Sequence, residues 1–156
     1  MSGVILDLMS EKDLDAVVCI ENASFTHPWS RSAFLSELSN EYSHNLVLKL
    51  ENSPETYQII AYMCYRVTGD DAHILKIAVH PEYRRKGIAF EFLTHCLALM
   101  PTRRIRSAIL EVRQFNLAGI GLYKKSGFAI EAQLPKYYSD TREDVILMRK
   151  NFLKEE

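Results

Sequence analysis

Apolar and polar residues along the chain alternate between two periods, one near two residues and one near 3.6. Residues 3–9 alternate weakly and predict a first strand. Ser10 with Asp13 approximates a capping box, and Leu14, Val17, Val18 and Cys19 follow at helical spacing. "ASFTHPWS" reads as a loop, after which Ser30 suits the N-cap of a short helix carrying Phe34, Leu35 and Leu38 on one side. Residues 44–51 and 57–67 predict two strands, joined by a turn at Asn52–Glu55 in which Pro54 fixes one backbone angle. Gly69-Asp70-Asp71 predicts a hairpin turn into a further strand at residues 72–79.

Pro81 and Glu82 open a turn, and a helix is expected over residues 87–100, ended by Pro101. Phe90, Leu93, Leu97 and Met100 form one apolar stripe and Phe92, Cys96 and Leu99 a second, so this helix must be well buried. Residues 107–113 form an almost continuous apolar strand. Asn116 caps a helix through about Lys125, with Gly127 just past its end. Residues 128–134 and 144–150 make two last strands joined by "PKYYSDTRE". In the resulting order, β α α β β β α β α β β, the central β–α–β must cross over, so strands 72–79 and 107–113 are expected to be parallel.

Length and composition narrow the class. One domain over residues 1–156 is expected, with ordinary hydrophobic (47%) and charged (25%) fractions. No apolar run approaches a membrane span, and the N-terminus lacks the basic flank expected of a signal peptide and turns acidic quickly. Three scattered cysteines, Cys19, Cys64 and Cys96, argue for reduced thiols and a cytoplasmic protein, and no His/Cys spacing suggests a metal. The net charge of −1 is uneven: residues 1–80 carry 5 basic against 11 acidic side chains, residues 81–156 carry 14 against 9. That asymmetry fits either an anionic ligand or a solvated face. No nucleic-acid motif accompanies it.

The stretch "EYRRKGIAFEFL", residues 82–93, sharpens the question. At the carboxyl end of a strand, the backbone N–H groups of about Arg85 to Phe90 would be the unpaired donors of a helix start, a place that favours anions. Gly87 would allow close approach, and Arg84, Arg85 and Lys86 would add attraction. The pattern matches neither of the glycine-rich loops that hold nucleotides. A plain surface helix start stays open on these residues alone. Glu111, set in the apolar run "AILEVR", is costly unless it serves a purpose or is paired, for instance with Arg113.

"IAVHPEYRRKGIAFEFL" resembles the acetyl-CoA motif of the GNAT N-acetyltransferases, [RQ]-x-x-G-x-[GA], with Arg84, Gly87 and Ala89 in its three places. "LEVRQFNLAGIGLYKKSGF", "HPWS" and "YYSDTREDVILM" extend the likeness over nearly the whole chain, most closely to the RimI type, the bacterial ribosomal-protein N-alpha-acetyltransferases. The resemblance implies an α/β (α+β) fold: one domain with a mixed, mostly antiparallel twisted sheet of about seven strands, a parallel β-α-β unit for acetyl-CoA, and flanking helices. It implies acetyl-CoA as co-substrate without a metal. The acceptor would be a protein N-terminus, most readily the N-terminal alanine of ribosomal protein S18. A small amine or a lysine side chain as acceptor, or a non-catalytic acyl-CoA-binding module, are the alternatives.

By the same resemblance, the acetyl-CoA pyrophosphate would sit on Arg84, Arg85, Lys86, Gly87, Ile88, Ala89 and Phe90. Its pantetheine arm would run along Ile77, Ala78 and Val79 and meet Asn116, which can also serve as a plain N-cap. The Val79 N–H would polarise the acetyl carbonyl. Glu111 would be the general base, and Tyr123 the acid that protonates the leaving sulfur and also borders the cofactor. A phenol near pKa 10 is reasonably matched to a thiolate near 8.5. Trp29, Tyr137 and Tyr138 would flank the acceptor groove, although Trp29 also suits a core position. Three departures from the family pattern stand out: Ala89 stands where glycine is common, Phe90 is bulky for its place, and Gly119 and Gly121 lie inside a helix where alanine is typical.

Overall fold

A computed structural model describes residues 3–138 and 142–152, with backbone alone for residues 136–138. Its elements are β1 (Val4–Leu8), α1 (Leu14–Ser24), α2 (Arg31–Leu38), β2 (Ser43–Ser53), β3 (Thr56–Thr68), β4 (Asp71–Val79), α3 (Ile88–Leu99), β5 (Ser107–Arg113), α4 (Leu117–Lys125), β6 (Ala129–Tyr138) and β7 (Glu143–Asn151). Their order is the one the apolar periods predict. The strands form one mixed sheet, β1-β2-β3-β4-β5-β7-β6, in which β4 and β5 are parallel.

Local chemistry explains the boundaries. The Ser10 N–H and hydroxyl both donate to Asp13 Oδ2, at 2.8 and 3.2 Å, and this pair closes a 3-10 turn (Glu11–Asp13) that leads into α1. Ser30 Oγ accepts from the Ala33 N–H at 3.1 Å, as expected of the α2 N-cap. Three turns are tighter than the residue types suggest. β2 runs to Ser53 and β3 begins at Thr56, so the turn expected at Asn52–Glu55 narrows to Pro54–Glu55. Asp71 already belongs to β4, so the hairpin narrows to Gly69–Asp70. β6 runs on to Tyr138, four residues beyond the expected end, because an irregularity between Leu134 and Tyr138 absorbs Pro135, which has no N–H for the ladder.

The chain divides into two compact units. Met1–Arg66 with Lys76–Phe92 make the first, Val67–Leu75 with Leu93–Glu156 the second. The core of the first gathers Leu14, Val17 and Ile20 of α1, Phe34 of α2, Val47 of β2, and Tyr62 and Cys64 of β3. Rings lock it: Phe34 meets Trp29 edge-on at 5.3 Å and Tyr62 at 5.7 Å. The second unit buries Leu93, Cys96, Leu97 and Met100 together with Ala108, Leu110 and Val112 of β5 and Ile146 and Met148 of β7. Of the α3 stripes, Phe90 is only half-buried and Leu99 is exposed, and Ile88 joins the buried set instead. All three cysteines are free, and burial pushes the Cys96 thiol up to about 12.

Candidate active site

The turn before α3 is built by side chains of the first unit. His80 Nδ1 accepts from the Glu82 N–H at 3.1 Å, and the Tyr83 hydroxyl donates to Gln58 Oε1 at 3.0 Å. Arg84 is exposed, and its Nε donates to the Val79 carbonyl at 3.0 Å and its Nη2 to Ser24 Oγ at 2.8 Å. These two bonds brace the end of β4 and the end of α1 to the turn. Arg85 and Lys86 are also exposed.

Arg85 (φ 62°) and Gly87 (φ 77°) both occupy left-handed backbone. A Cβ at Gly87 would meet nothing within 4 Å, so it is the backbone angle that calls for glycine, and the space in front of it is open. The first bond of α3 runs from the Glu91 N–H to the Gly87 carbonyl at 3.1 Å. The amides of Gly87, Ile88 and Ala89 therefore lie at the helix's open, electropositive end. An oxyanion fits this arrangement.

In the second unit the parallel ladder joins Asp71–Ile74 to Ser107–Leu110, and Glu111 is the first β5 residue beyond its last pair. Ala108, Leu110 and Val112 are buried on one face of β5, while Glu111 points to the other with its side chain 38% exposed. Strand alternation carries Glu111 out of the apolar face, so its apolar sequence neighbours impose no large burial cost on it. His73 of β4, a residue the sequence did not single out, stands beside it with Nε2 3.7 Å from Oε1. Arg113, considered as a partner for Glu111, reaches Glu143 at 3.8 Å. Arg149 binds Ser107, Asp71 and Glu131 on the same part of the sheet.

Tyr123 lies half-buried on α4, edge-on to Phe128 at 5.9 Å between centroids. Burial pushes its phenol up to about 12, where the sequence reading assumed an unperturbed value. Asn116 is the α4 N-cap: its Oδ1 accepts from the Gly119 N–H at 3.0 Å. A Cβ on residue 119 would stand 2.7 Å from Asn116 Nδ2, which accounts for glycine there. Gly121 would meet nothing within 4 Å, and nothing in the structure explains it.

The largest omission of the sequence reading is a buried ionic cluster in the first unit. Glu21 is fully buried on α1 and accepts from the Tyr62 hydroxyl, from the Trp29 backbone N–H at 2.8 Å and from the Lys76 ammonium at 2.8 Å. Burial and the adjacent Glu21 carboxylate hold the Tyr62 phenol far above its ordinary value, so it stays a donor. The signal was present as two charges on apolar patterns: Glu21 continues the Leu14–Val17 stripe, and Lys76 interrupts the strand "AHILKIAV". Trp29 itself is half-buried against the core. The side chains of Tyr137 and Tyr138 lie outside the described residues. Among the described residues no cluster of three or more His, Cys, Asp or Glu side chains could hold a metal, and no helix is long and apolar enough to cross a membrane.

Comparison with known proteins connects these features. The model of the acetyltransferase (GNAT) family matches residues 14–128. The chain is 32% identical over 146 residues to a protein of Salmonella typhimurium named ribosomal protein bS18-alanine N-acetyltransferase, covering 92% of this chain and 94% of that one. It superposes on the crystal structure of the ribosomal-protein-S18-alanine N-acetyltransferase of Escherichia coli with a TM-score of 0.86 and 30% identity, covering 98% of this chain and 96% of the other. A second structure, Ard1 of Thermoplasma volcanium, gives a TM-score of 0.85 at 27% identity, covering 97% of this chain and 99% of that one.

Proposed function

The chain belongs to the GNAT acetyltransferase family, and from that premise we propose that it moves acetyl from acetyl-CoA to the N-terminal amine of a protein. The names of its relatives point to the N-terminal alanine of ribosomal protein S18 as the acceptor. The observation that carries this reading is the position of Glu111, directly past the last parallel β4–β5 pair and open to solvent on one face. A base that must reach an incoming amine, rather than stabilise a core, belongs at such a place.

In this reading the turn at Arg85–Phe90 holds the diphosphate of acetyl-CoA. The amides of Gly87, Ile88 and Ala89 supply donors, Arg85 and Lys86 supply charge, and Arg84 keeps the turn in shape. The backbone of Ile77, Ala78 and Val79 and the Asn116 side chain take the pantetheine arm, with the Val79 N–H directed at the acetyl oxygen. Acetyl-CoA supplies an activated thioester; the protein's part is protons and position. An N-terminal ammonium has a pKa of roughly 7.7–8.0, so near neutral pH a fraction is already the neutral amine, its first proton lost to solvent, and the N–H that remains is left for a carboxylate acting directly or through one water. As the amine nitrogen bonds to the carbonyl carbon, Glu111 takes the amine proton. As the carbon–sulfur bond breaks, Tyr123 directs its hydroxyl proton at the sulfur. With the phenol near 12 and an ordinary thiol near 8.5, complete transfer to a free thiolate would be uphill by about 5 kcal/mol. Tyr123 therefore serves best as a strong hydrogen-bond donor whose proton crosses while the bond breaks.

The test is a peptide panel with acetyl-CoA and mass detection, comparing the S18 N-terminal peptide with peptides whose sole free amine is a lysine side chain and with small polyamines. Acetylation at the α-amine of the S18 peptide is the expected result. Transfer to lysine or polyamine alone would refute the reading.

A further inference from the structure

The Glu21 cluster is not used by the chemistry just described, yet its contacts converge on one short segment. The ammonium of Lys76 lies 3.9 Å from the centroid of the Phe25 ring and 5.2 Å from that of Trp29. The Glu21 carboxylate holds the Trp29 backbone at the same time, and the Tyr62 hydroxyl fixes that carboxylate from the other side. The loop that joins α1 to α2 is thus gripped at both ends, at Phe25 by its ring face and at Trp29 by backbone and ring.

Apolar side chains of similar volume would fill this space with less desolvation. They would not reproduce its directionality. A carboxylate with a fixed set of donors admits one loop position, and a cation over a ring face admits one ring orientation. Lys76 belongs to β4, so its ammonium ties the two rings of the loop to that strand.

We propose that Glu21, Lys76 and Tyr62 are positioning residues that lock the Phe25–Trp29 loop against β4 and thereby set affinity for the acceptor. The proposal rests on the reading that Trp29 borders the acceptor path. It separates two substrates that a general loss of structure would affect alike: acceptor affinity depends on the cluster, and acetyl-CoA affinity does not.

The experiment measures kcat, KM for the S18 N-terminal peptide, KM for acetyl-CoA and the unfolding midpoint in four proteins. These are Trp29→Ala, the charge-balanced double variant Glu21→Gln with Lys76→Met, Lys76→Arg and Tyr62→Phe. Trp29→Ala and the double variant are each expected to raise peptide KM about tenfold and to leave acetyl-CoA KM within about twofold. Lys76→Arg, which keeps the cation, should stay within about threefold of the wild-type peptide KM. If Trp29→Ala raises peptide KM and the double variant does not, the positioning role is overturned and the loop reading survives. If Trp29→Ala leaves peptide KM unchanged, both are overturned. Should the double variant fail to fold, Tyr62→Phe deletes one hydroxyl only. A rise in peptide KM alone then supports the proposal, and an unchanged value, or equal rises for both substrates, overturns it.

Discussion

Glu111 stands on a strand face where its neighbours decide how it can handle a proton. With a solvent-exposed side chain and His73 3.7 Å away, it can exchange protons with bulk water between turnovers. Glu111→Gln keeps the shape and removes the base, so we expect kcat to fall about 10²-fold or more with acetyl-CoA binding retained. A rate near wild type in steady-state assays would remove Glu111 from the mechanism. Tyr123 makes a different prediction, because burial raises its phenol to about 12. Its proton is held at every pH below the ordinary phenol value near 10 and is lost only as pH rises through the folded value. The alkaline limb of kcat should therefore stay flat through pH 10, where an unperturbed phenol would already be half ionised. Tyr123→Phe should lower kcat about 10²-fold across that whole range without adding a new limb. A wild-type decline centred at pH 10 would contradict the upward shift that burial gives the phenol.

At the scale of elements, α4 and the α3 turn use glycine for different reasons, and substitution separates them. Gly121→Ala adds a methyl in open space to a helix interior and should stabilise the protein by about 0.5–1 kcal/mol. Gly119→Ala puts the same methyl against the Asn116 cap at 2.7 Å, and displacing the cap should cost about 1 kcal/mol, more than the propensity gain. Denaturant titrations of the two variants should thus move in opposite directions. Gly87→Asp forces a side chain into left-handed backbone and places a negative charge at the helix's positive end. Loss of acetyl-CoA binding, read by calorimetry, is the expected result; unchanged affinity would move the diphosphate elsewhere. The elements themselves were legible because each rests on local rules. Ser30 and Asn116 announce caps, Pro101 stops α3, and the apolar run at residues 57–67 can only be a buried strand. What stayed hidden depends on partners distant in the chain. Glu21 and Lys76 are 55 positions apart in the sequence, and no local pattern joins a carboxylate on a helix stripe to an ammonium in a strand. The bond from Arg84 to Ser24, 60 positions earlier, was hidden for the same reason.

At the scale of the whole molecule, connectivity argues for one cooperative body, and we propose that residues 1–156 fold as a single domain. The chain passes from one compact unit to the other three times, after Arg66, Leu75 and Phe92. All three crossings fall inside regular elements: β3 runs from Thr56 to Thr68, β4 from Asp71 to Val79 and α3 from Ile88 to Leu99. Neither unit can therefore unfold without breaking hydrogen bonds of an element that the other also needs. The second unit would lose the end of its own helix, with the buried Leu93, Cys96 and Leu97, if the first part of α3 came undone. Breaking the buried Glu21–Lys76 pair would cost about 3–5 kcal/mol, and Lys76 lies one residue past a crossing. Local loss of the β4 segment would thus be resisted from the first unit as well. Two-state behaviour is the consequence. Calorimetric and van't Hoff enthalpies of unfolding should agree, and far-ultraviolet circular dichroism should melt together with Trp29 fluorescence. Trp29, the single tryptophan, belongs to the first unit, so its fluorescence follows that unit alone while circular dichroism follows both. Two separate midpoints would mean that the crossings do not couple the units and that the chain is two folding domains.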